Sequence, residues 1–232
     1  MSGKRIAIVQ SNYIPWKGYF DLIHAVDEFV LLDDVQYTRR DWRNRNRIKT
    51  PQGAAWLTIP VQTKGQYLEP IKAITVSDPS WAARHWRTLT THYTKARWFH
   101  AYAERLEQAY GACAADTHLS AINHRLIVAI CEILGIGTKL SWSMDYALTE
   151  GKTERLVEIC RQAEADIYVS GPAASAYMEV DRFRQAGIEL AWFDYAGYPA
   201  YTQLYPPFEH SVSVLDLIFN EGPDAARYML TF

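Results

Sequence analysis

An open, doubly wound, mostly parallel α/β sheet is the fold class this sequence predicts, and three observations carry it. Ile6 to Val9 and Phe29 to Leu32 are short apolar runs flanking a helix-like pattern of Phe20, Leu22, Ile23 and Val26, which is a βαβ signature. Runs near 139–142, 167–169 and 188–193 continue the alternation later in the chain, joined by short connections and a helical pattern. Each run stops at polar side chains, as strands of a parallel sheet do where their carboxyl ends face a crevice.

In chain order, the first strand spans 5–9, and Pro15-Trp16-Lys17-Gly18-Tyr19 opens the first helix, with Pro15 and Gly18 shaping the turn. The second strand, 29–32, ends in Asp33-Asp34-Val35-Gln36. A basic loop follows, Arg39 to Arg47, with arginine at five of nine positions and Trp42 inside it. Ala54 to Val61 and Ile71 to Val76 read as two short strands, separated by Thr63-Lys64-Gly65-Gln66, that pair as a hairpin or small β extension. Periodicity then turns helical. Asp78-Pro79-Ser80 starts one helix, Lys95 to Tyr110 makes a second, and Asp116 to Leu134 a third, closed by Gly135. Asn123 on the third reads as solvent-facing, with a position reaching a pocket as the alternative. Residues 80–135 are therefore expected as a helical insertion within a single α/β domain spanning 1–232. Beyond it lie strand 139–142, helix Lys152 to Gln162, and strands 167–169 and 188–193. Tyr195 to Phe208, rich in tyrosine and proline, reads as an ordered loop or lid. Two short helices, 213–219 and 223–229, complete the chain, and Asp216 and Asn220, four apart on one face, are placed to anchor that loop.

Composition narrows the function classes. A net charge of -2 in 232 residues gives no bulk attraction for nucleic acid, so any charge effect is local. Cys113, Cys131 and Cys160 are odd in number and widely spaced, which fits a reducing compartment and neither disulfides nor zinc. With no signal-like leader and no run of membrane-spanning length, the expected location is the cytoplasm, without membrane insertion. P-loop, GxGxxG, GxSxG, HExxH and DxDxDG patterns are all missing from the sequence. No cofactor is named by any motif, and no metal site is expected. His85 and His92 share a helix face but sit about 10.5 Å apart along it, so they read as packing or phosphate-facing side chains.

Candidate site residues follow from the strand ends. Gln10 and Asn12, then Asp33, Asp34 and Gln36, then Ser170 and Gly171, should converge at the crevice. Asp33 and Asp34 equally suit capping of the next turn, and Ser170 an ordinary helix cap. Arg43, Arg45 and Arg47, with Trp42 and Asn44 among them, match the planar oxygens of phosphate or carboxylate, and an indole can stack on a ring or a guanidinium. Glu154 beside Arg155 is the carboxylate favoured as a general base, with an internal ion pair as the alternative. Tyrosines and tryptophans, 15 and 8 in number, suit the wall of a pocket for sugar or base rings.

The run Gln10-x-Asn12-Tyr13-x-Pro15-Trp16-x-Gly18-Tyr19-Phe20-Asp21, then Asp33-Asp34-Val35-Gln36 and Trp42-Arg43-Asn44-Arg45, resembles the WbqC-like protein family. Thr153-Glu154-Arg155-Leu156, Ser170-Gly171-Pro172 with Tyr177, Tyr201-x-Gln203, and Ser211 to Gly222 look like its later blocks. His210-Ser211-Val212 departs from the more neutral stretch expected there. The strand and helix alternation above is Rossmann-like, and the resemblance implies a setting among bacterial O-antigen and other surface-polysaccharide genes. It adds Tyr13, Trp16, Tyr19, Tyr177, Tyr201 and Gln203 to the substrate-binding candidates. Nucleotidylyltransferases carry Pro and His-x-Gly-His where this chain has Pro15 and Trp16-Lys17-Gly18-Tyr19, so that likeness is topological and brings no imidazole chemistry.

Three readings follow. The first is a transferase passing an acyl or aminoacyl group from a donor to a nucleotide-linked amino sugar, with arginines on phosphate, Asp33 and Asp34 orienting hydroxyls or a metal, and Glu154 taking the proton. The second is an ATP-dependent carboxylate-activating or nucleotidylyltransferase-like enzyme, with Lys17 and the arginines facing pyrophosphate. The third is a non-catalytic carbohydrate-binding or scaffold protein. The expected partner is a nucleotide-linked sugar or another phosphorylated small molecule, with an acyl or aminoacyl donor beside it in the first reading, and nucleic acid is not expected.

Overall fold

The computed structural model describes residues 3–65, 68–176 and 178–232. Gln66 of the predicted turn and Tyr177 lie outside them. The chain runs β1 (Arg5–Val9), α1 (Lys17–His24), β2 (Glu28–Leu31), β3 (Arg45–Thr50), β4 (Gly53–Thr58), α2 (Trp81–Tyr93), α3 (Phe99–Cys113), α4 (Leu119–Leu134), β5 (Lys139–Trp142), α5 (Lys152–Gln162), β6 (Ile167–Ser170), α6 (Val180–Gln185), β7 (Glu189–Trp192) and α7 (Val214–Glu221).

Five of these strands form one sheet in the order β5-β2-β1-β6-β7, every neighbouring pair parallel. Side chains alternate across a strand, and here both faces are apolar. Ala7, Phe29, Leu31 and Val169 turn to the core built with α1, α2, α3, α4 and α7. Ile6, Ile8, Val30, Leu32 and Tyr168 turn to the opposite core, where Leu156, Ile159, Cys160 and Phe183 of α5 and α6 cover them. Helices on both faces explain why these strands read as continuous apolar runs rather than alternating ones. Each fully buried Phe, Leu or Ile contributes about 1.5–3 kcal/mol, and Phe20, Ile23, Phe29 and Leu31 are all sealed.

The β extension differs from the one expected. Residues 53–58 do pair, but their partner is 45–50, in antiparallel register from Arg45 opposite Thr58 to Thr50 opposite Gly53. Residues 71–73 form a 3-10 turn, and 61 and 76 meet only in an isolated bridge. The reason lies in alternation. Asn46 and Ile48 turn inward while Arg45 and Arg47 turn outward, so the arginine run is a strand whose charged face looks like a loop when read as composition. Pro51-Gln52 closes the hairpin, Thr50 Oγ1 donates to the Gly53 carbonyl at 2.8 Å, and Gly53 adopts φ 104, which a side chain would resist.

Helix α3 begins at 99 rather than 95, because Tyr93 to Trp98 form a turn in which Ala96 N–H donates to Tyr93 O. Helix α4 ends as expected at Gly135, in the left-handed region at φ 73. The C-terminus is tied back to α1. Buried Asp21 accepts the N–H groups of Leu230 and Thr231, and the Phe232 ring stacks on His24 with centroids 4.0 Å apart.

Candidate functional site

The strand order reverses beside β1. Successive connections carry the chain from β1 to β2 and β5 on one side, and from β6 to β7 on the other. Crevices at such a reversal, outside the carboxyl ends of the strands, are where ligands bind in open α/β sheets. The loop leaving β1 runs through Asn12, Pro15 and Trp16, and these, with Trp42, Asn46 and Ser211, line a cleft of about 240 Å³.

That loop is strained and braced. Ile14 has φ 35, a conformation costly for a β-branched residue and doubly so before proline. Buried Asn46 of β3 holds it there, its Nδ2 donating to the carbonyls of Tyr13 (3.1 Å) and Ile14 (2.9 Å). The Val214 N–H at the start of α7 donates to Pro15 O, and the Ser213 N–H to Arg47 O, both at 2.8 Å. Backbone strain of this size, about 1–3 kcal/mol, persists where surroundings over-determine it and gathers at ligand sites. Gly18 has its own reason: a Cβ there would lie 2.3 Å from the Trp16 indole, which covers the first turn of α1.

The polar inventory is weighted toward donors. Arg43 Nη1 donates to Asn12 Oδ1 at 2.5 Å, and the same guanidinium approaches Asp41 at 3.6 Å, which leaves Asn12 its amide hydrogens. Arg45 and Arg47 lie on the outward face of β3 beside Trp56, with guanidinium carbons 4.1 and 5.9 Å from its ring centroid. Arg47 is 3.8 Å from Glu209, and the buried Nε atoms of Arg45 and Arg47 have no hydrogen-bond partner among the described residues. Lys17 Nζ is covered by the 195–211 loop, donating to Pro199 O at 3.0 Å and facing the Tyr198 and Tyr201 rings. Burial pushes its ammonium down to about 8, against the pull of Asp21. Burial, and then the Lys17 charge, lower His210, next to Ser211.

The structure separates the predicted residues into three groups. Asn12, Trp16, Trp42, Arg43, Arg45 and Arg47 are drawn together on the cleft and the adjoining β3 face. Gln10 shares their loop, its carbonyl accepting the buried Tyr19 hydroxyl at 3.0 Å. Ser170 and Gly171 end β6, with the Tyr195 ring over Gly171 and Tyr195 packed on Trp16 at 5.5 Å. Tyr201 and Gln203 belong to the covering loop, and both donate to buried Asp216 of α7, at 2.6 and 2.7 Å.

A second group is framework. Asp33 is fully buried and accepts from Ser11 N–H (2.9 Å) and Ser120 Oγ, so it fixes the end of β1 instead of facing a ligand. Burial raises its carboxyl despite those bonds. Asp34 pairs with Lys72 and accepts from Ser143 Oγ at 2.6 Å. Tyr13 is sealed, its hydroxyl 2.8 Å from both His85 Nδ1 and the Tyr110 hydroxyl. Asn44 Nδ2 donates to Ile59 O at 2.8 Å, and Gln36 is exposed opposite Pro70 in an isolated bridge. Asn123, read as solvent-facing, is instead fully buried and donates to Ser11 Oγ and Arg43 O.

Glu154 and Arg155 form the third group. Glu154 lies 3.7 Å from Arg182 in a groove between α5 and α6 lined by Thr149, Glu158 and Gln185, apart from the cleft. Arg155 Nε donates to Thr149 O at 3.4 Å. Among the described residues no three His, Cys, Asp or Glu side chains gather as metal ligands, and no helix is long and apolar enough to cross a membrane.

Two residues of the cleft, Asn46 and Ser211, and Trp56 on the adjoining arginine face are not singled out by the sequence. Only the antiparallel register, which sets Arg47 opposite Trp56, brings an indole from beyond the turn onto the arginine face. Alternation within 45–50 was the signal that could have found it.

A parallel α/β protein with a braced, donor-rich cleft at its strand reversal is the class that fold and geometry define. The chain belongs to the WbqC-like protein family, whose profile matches residues 10–228. It is 52% identical over 226 residues to the uncharacterized protein Rv1507c of Mycobacterium tuberculosis (strain ATCC 25618 / H37Rv), covering 97% of each chain. No solved structure matches it.

Proposed function

We propose that this protein binds a nucleotide-linked amino sugar in the cleft and transfers an acyl or aminoacyl group to it in bacterial surface-polysaccharide synthesis. One observation carries the ligand class. The β3 margin offers the guanidinium groups of Arg43, Arg45 and Arg47 beside indoles, only partly offset by Asp41 and Glu209, and among the described residues none that lines the cleft itself is a carboxylate. Such a surface favours an acceptor-rich, anionic ligand with a flat or ring-shaped part. The polysaccharide setting rests on the family resemblance, and the reaction on that setting.

In this reaction the sugar amine attacks the donor carbonyl carbon. A C–N bond forms, the donor's ester or thioester bond breaks, and the amine proton passes to the departing alcohol or thiol. Glu154 lines the groove between α5 and α6 beside Arg182, outside the cleft, so it is not the base in this reading. Glu209 and His210 both precede Ser211, Glu209 accepting its N–H at 2.9 Å; the imidazole of His210, lowered by burial and then by the Lys17 charge, is the proton acceptor assigned in this reading. The test is mass spectrometry of UDP-N-acetylglucosamine analogues bearing a free amine, incubated with acyl-CoA and the protein. Acylated product, reduced at least tenfold in His210→Ala, supports the reading. Binding without any product supports the non-catalytic alternative, which the carboxylate-free lining favours.

A further inference from the structure

The hairpin carries a feature that the cleft alone does not use. Trp42 and Trp56 are 40% and 46% exposed, yet they lie against each other, centroids 5.4 Å apart and planes inclined by 38°. Large indoles left in water beside one another forgo burial that a sealed core would give them. Their placement is fixed. The Trp42 carbonyl accepts the Tyr13 N–H at 3.0 Å, next to strained Ile14, and Trp56 faces Arg47 across the β3–β4 ladder.

The two rings are not equivalent. Trp56 already has the Arg45 guanidinium over it, at 4.1 Å, whereas Trp42 lines the cleft itself. The free aromatic surface is therefore on the Trp42 side, with the arginines of β3 behind it. An aromatic heterocycle stacked there would hold its phosphates toward Arg43, which follows Trp42 in the chain, and Arg47, which pairs with Trp56.

We propose that Trp42, backed by Trp56, is the base-stacking subsite of the cleft, so that the protein selects a nucleotide over a sugar phosphate of equal charge. This rests on the reading of the cleft as a nucleotide-sugar site and adds which end of the ligand goes where. Every base presents a π face, so the stack sets the class of ligand and leaves base identity open.

Isothermal titration with UMP, ribose 5-phosphate, glucose 1-phosphate and inorganic phosphate tests it, using the wild type, Trp42→Ala and Trp42→Phe, with circular dichroism to verify folding. Stacking on an indole gives roughly a tenfold preference. UMP should bind that much tighter than ribose 5-phosphate to the wild type. In Trp42→Ala, UMP should fall to the level of ribose 5-phosphate, whose own affinity stays unchanged, and Trp42→Phe should restore most of the difference. Equal binding of UMP and ribose 5-phosphate to the wild type overturns the subsite, as does glucose 1-phosphate matching UMP and sharing its loss, which would assign the indole to a pyranose. Those results leave the anion site intact. Loss of the site reading itself would show differently, as no binding of any phosphate compound, and that overturns both.

Discussion

Single residues here divide into those that hold the cleft and those that face it, and the distinction is one of partners. Asn46 spends both Nδ2 hydrogens on the carbonyls around Ile14 and its Oδ1 on Arg47 N–H. Asn46→Ala should therefore cost about 2–3 kcal/mol, since two buried carbonyls lose their donor, read as a lower urea midpoint with an unchanged slope. Glu28 gives a pH signature. Burial alone would raise its carboxyl, but hydrogen bonds from Tyr146, Lys4, Ser141 and Lys139 outweigh it and hold it at about 2. A carboxyl lowered in the folded state adds stability above the unfolded value, near 4.5, and loses it as pH falls toward 2. Discounted for the solvent around both lysines, this amounts to about 1–2 kcal/mol. Glu28→Gln should consequently be less stable than wild type at pH 7, with the gap narrowing below the unfolded value and closing near pH 2 in paired urea titrations. An equal gap at both pH values would show the carboxylate charge to be irrelevant. Asp33 illustrates the limit of reading residues singly. A carboxylate after a strand is a site residue or a bracket depending on whether Ser11 and Ser120 reach it first, and Ser120 is 87 positions away.

At the scale of elements, alternation and composition competed. The central strands β2, β1 and β6 were legible because burial on both faces leaves an apolar run, and Gly135 marked the end of α4. The β3 strand was not, since its inward residues, Asn46 and Ile48, are too few to overcome the arginines between them. The covering loop was legible as one anchored from α7: Asp216 accepts from Tyr201, Gln203 and Tyr93, and Asn220 Oδ1 accepts Leu204 N–H at 3.3 Å. Replacing Asp216 by Asn turns one of its two accepting oxygens into an NH2 group, set either against the Tyr93 hydroxyl or against Tyr201 and Gln203. The expected result is a loss of about 1–3 kcal/mol and proteolytic cleavage within 195–209 that the wild type resists. Loop cleavage at the wild-type rate in Asp216→Asn would mean that the loop is held by its tyrosine packing alone.

For the whole molecule, the sheet reversal is what links distant parts of the sequence. It brings the loop after β1 to the cationic face of the hairpin and to Ser211, positions that no local pattern connects. The same geometry sets Glu154 apart, on a helix that covers the opposite core and beside its partner Arg182. A chain of net charge -2 thus presents one local cationic margin, and its attraction for an anion should weaken with salt. The central claim is that this margin, and no other groove, holds phosphate. Isothermal titration of UDP-N-acetylglucosamine into wild type, Arg47→Ala and Arg182→Ala measures it most directly. Arg47→Ala should weaken binding roughly tenfold or more while Arg182→Ala matches wild type; equal affinity in wild type and Arg47→Ala, or a loss confined to Arg182→Ala, would contradict the account.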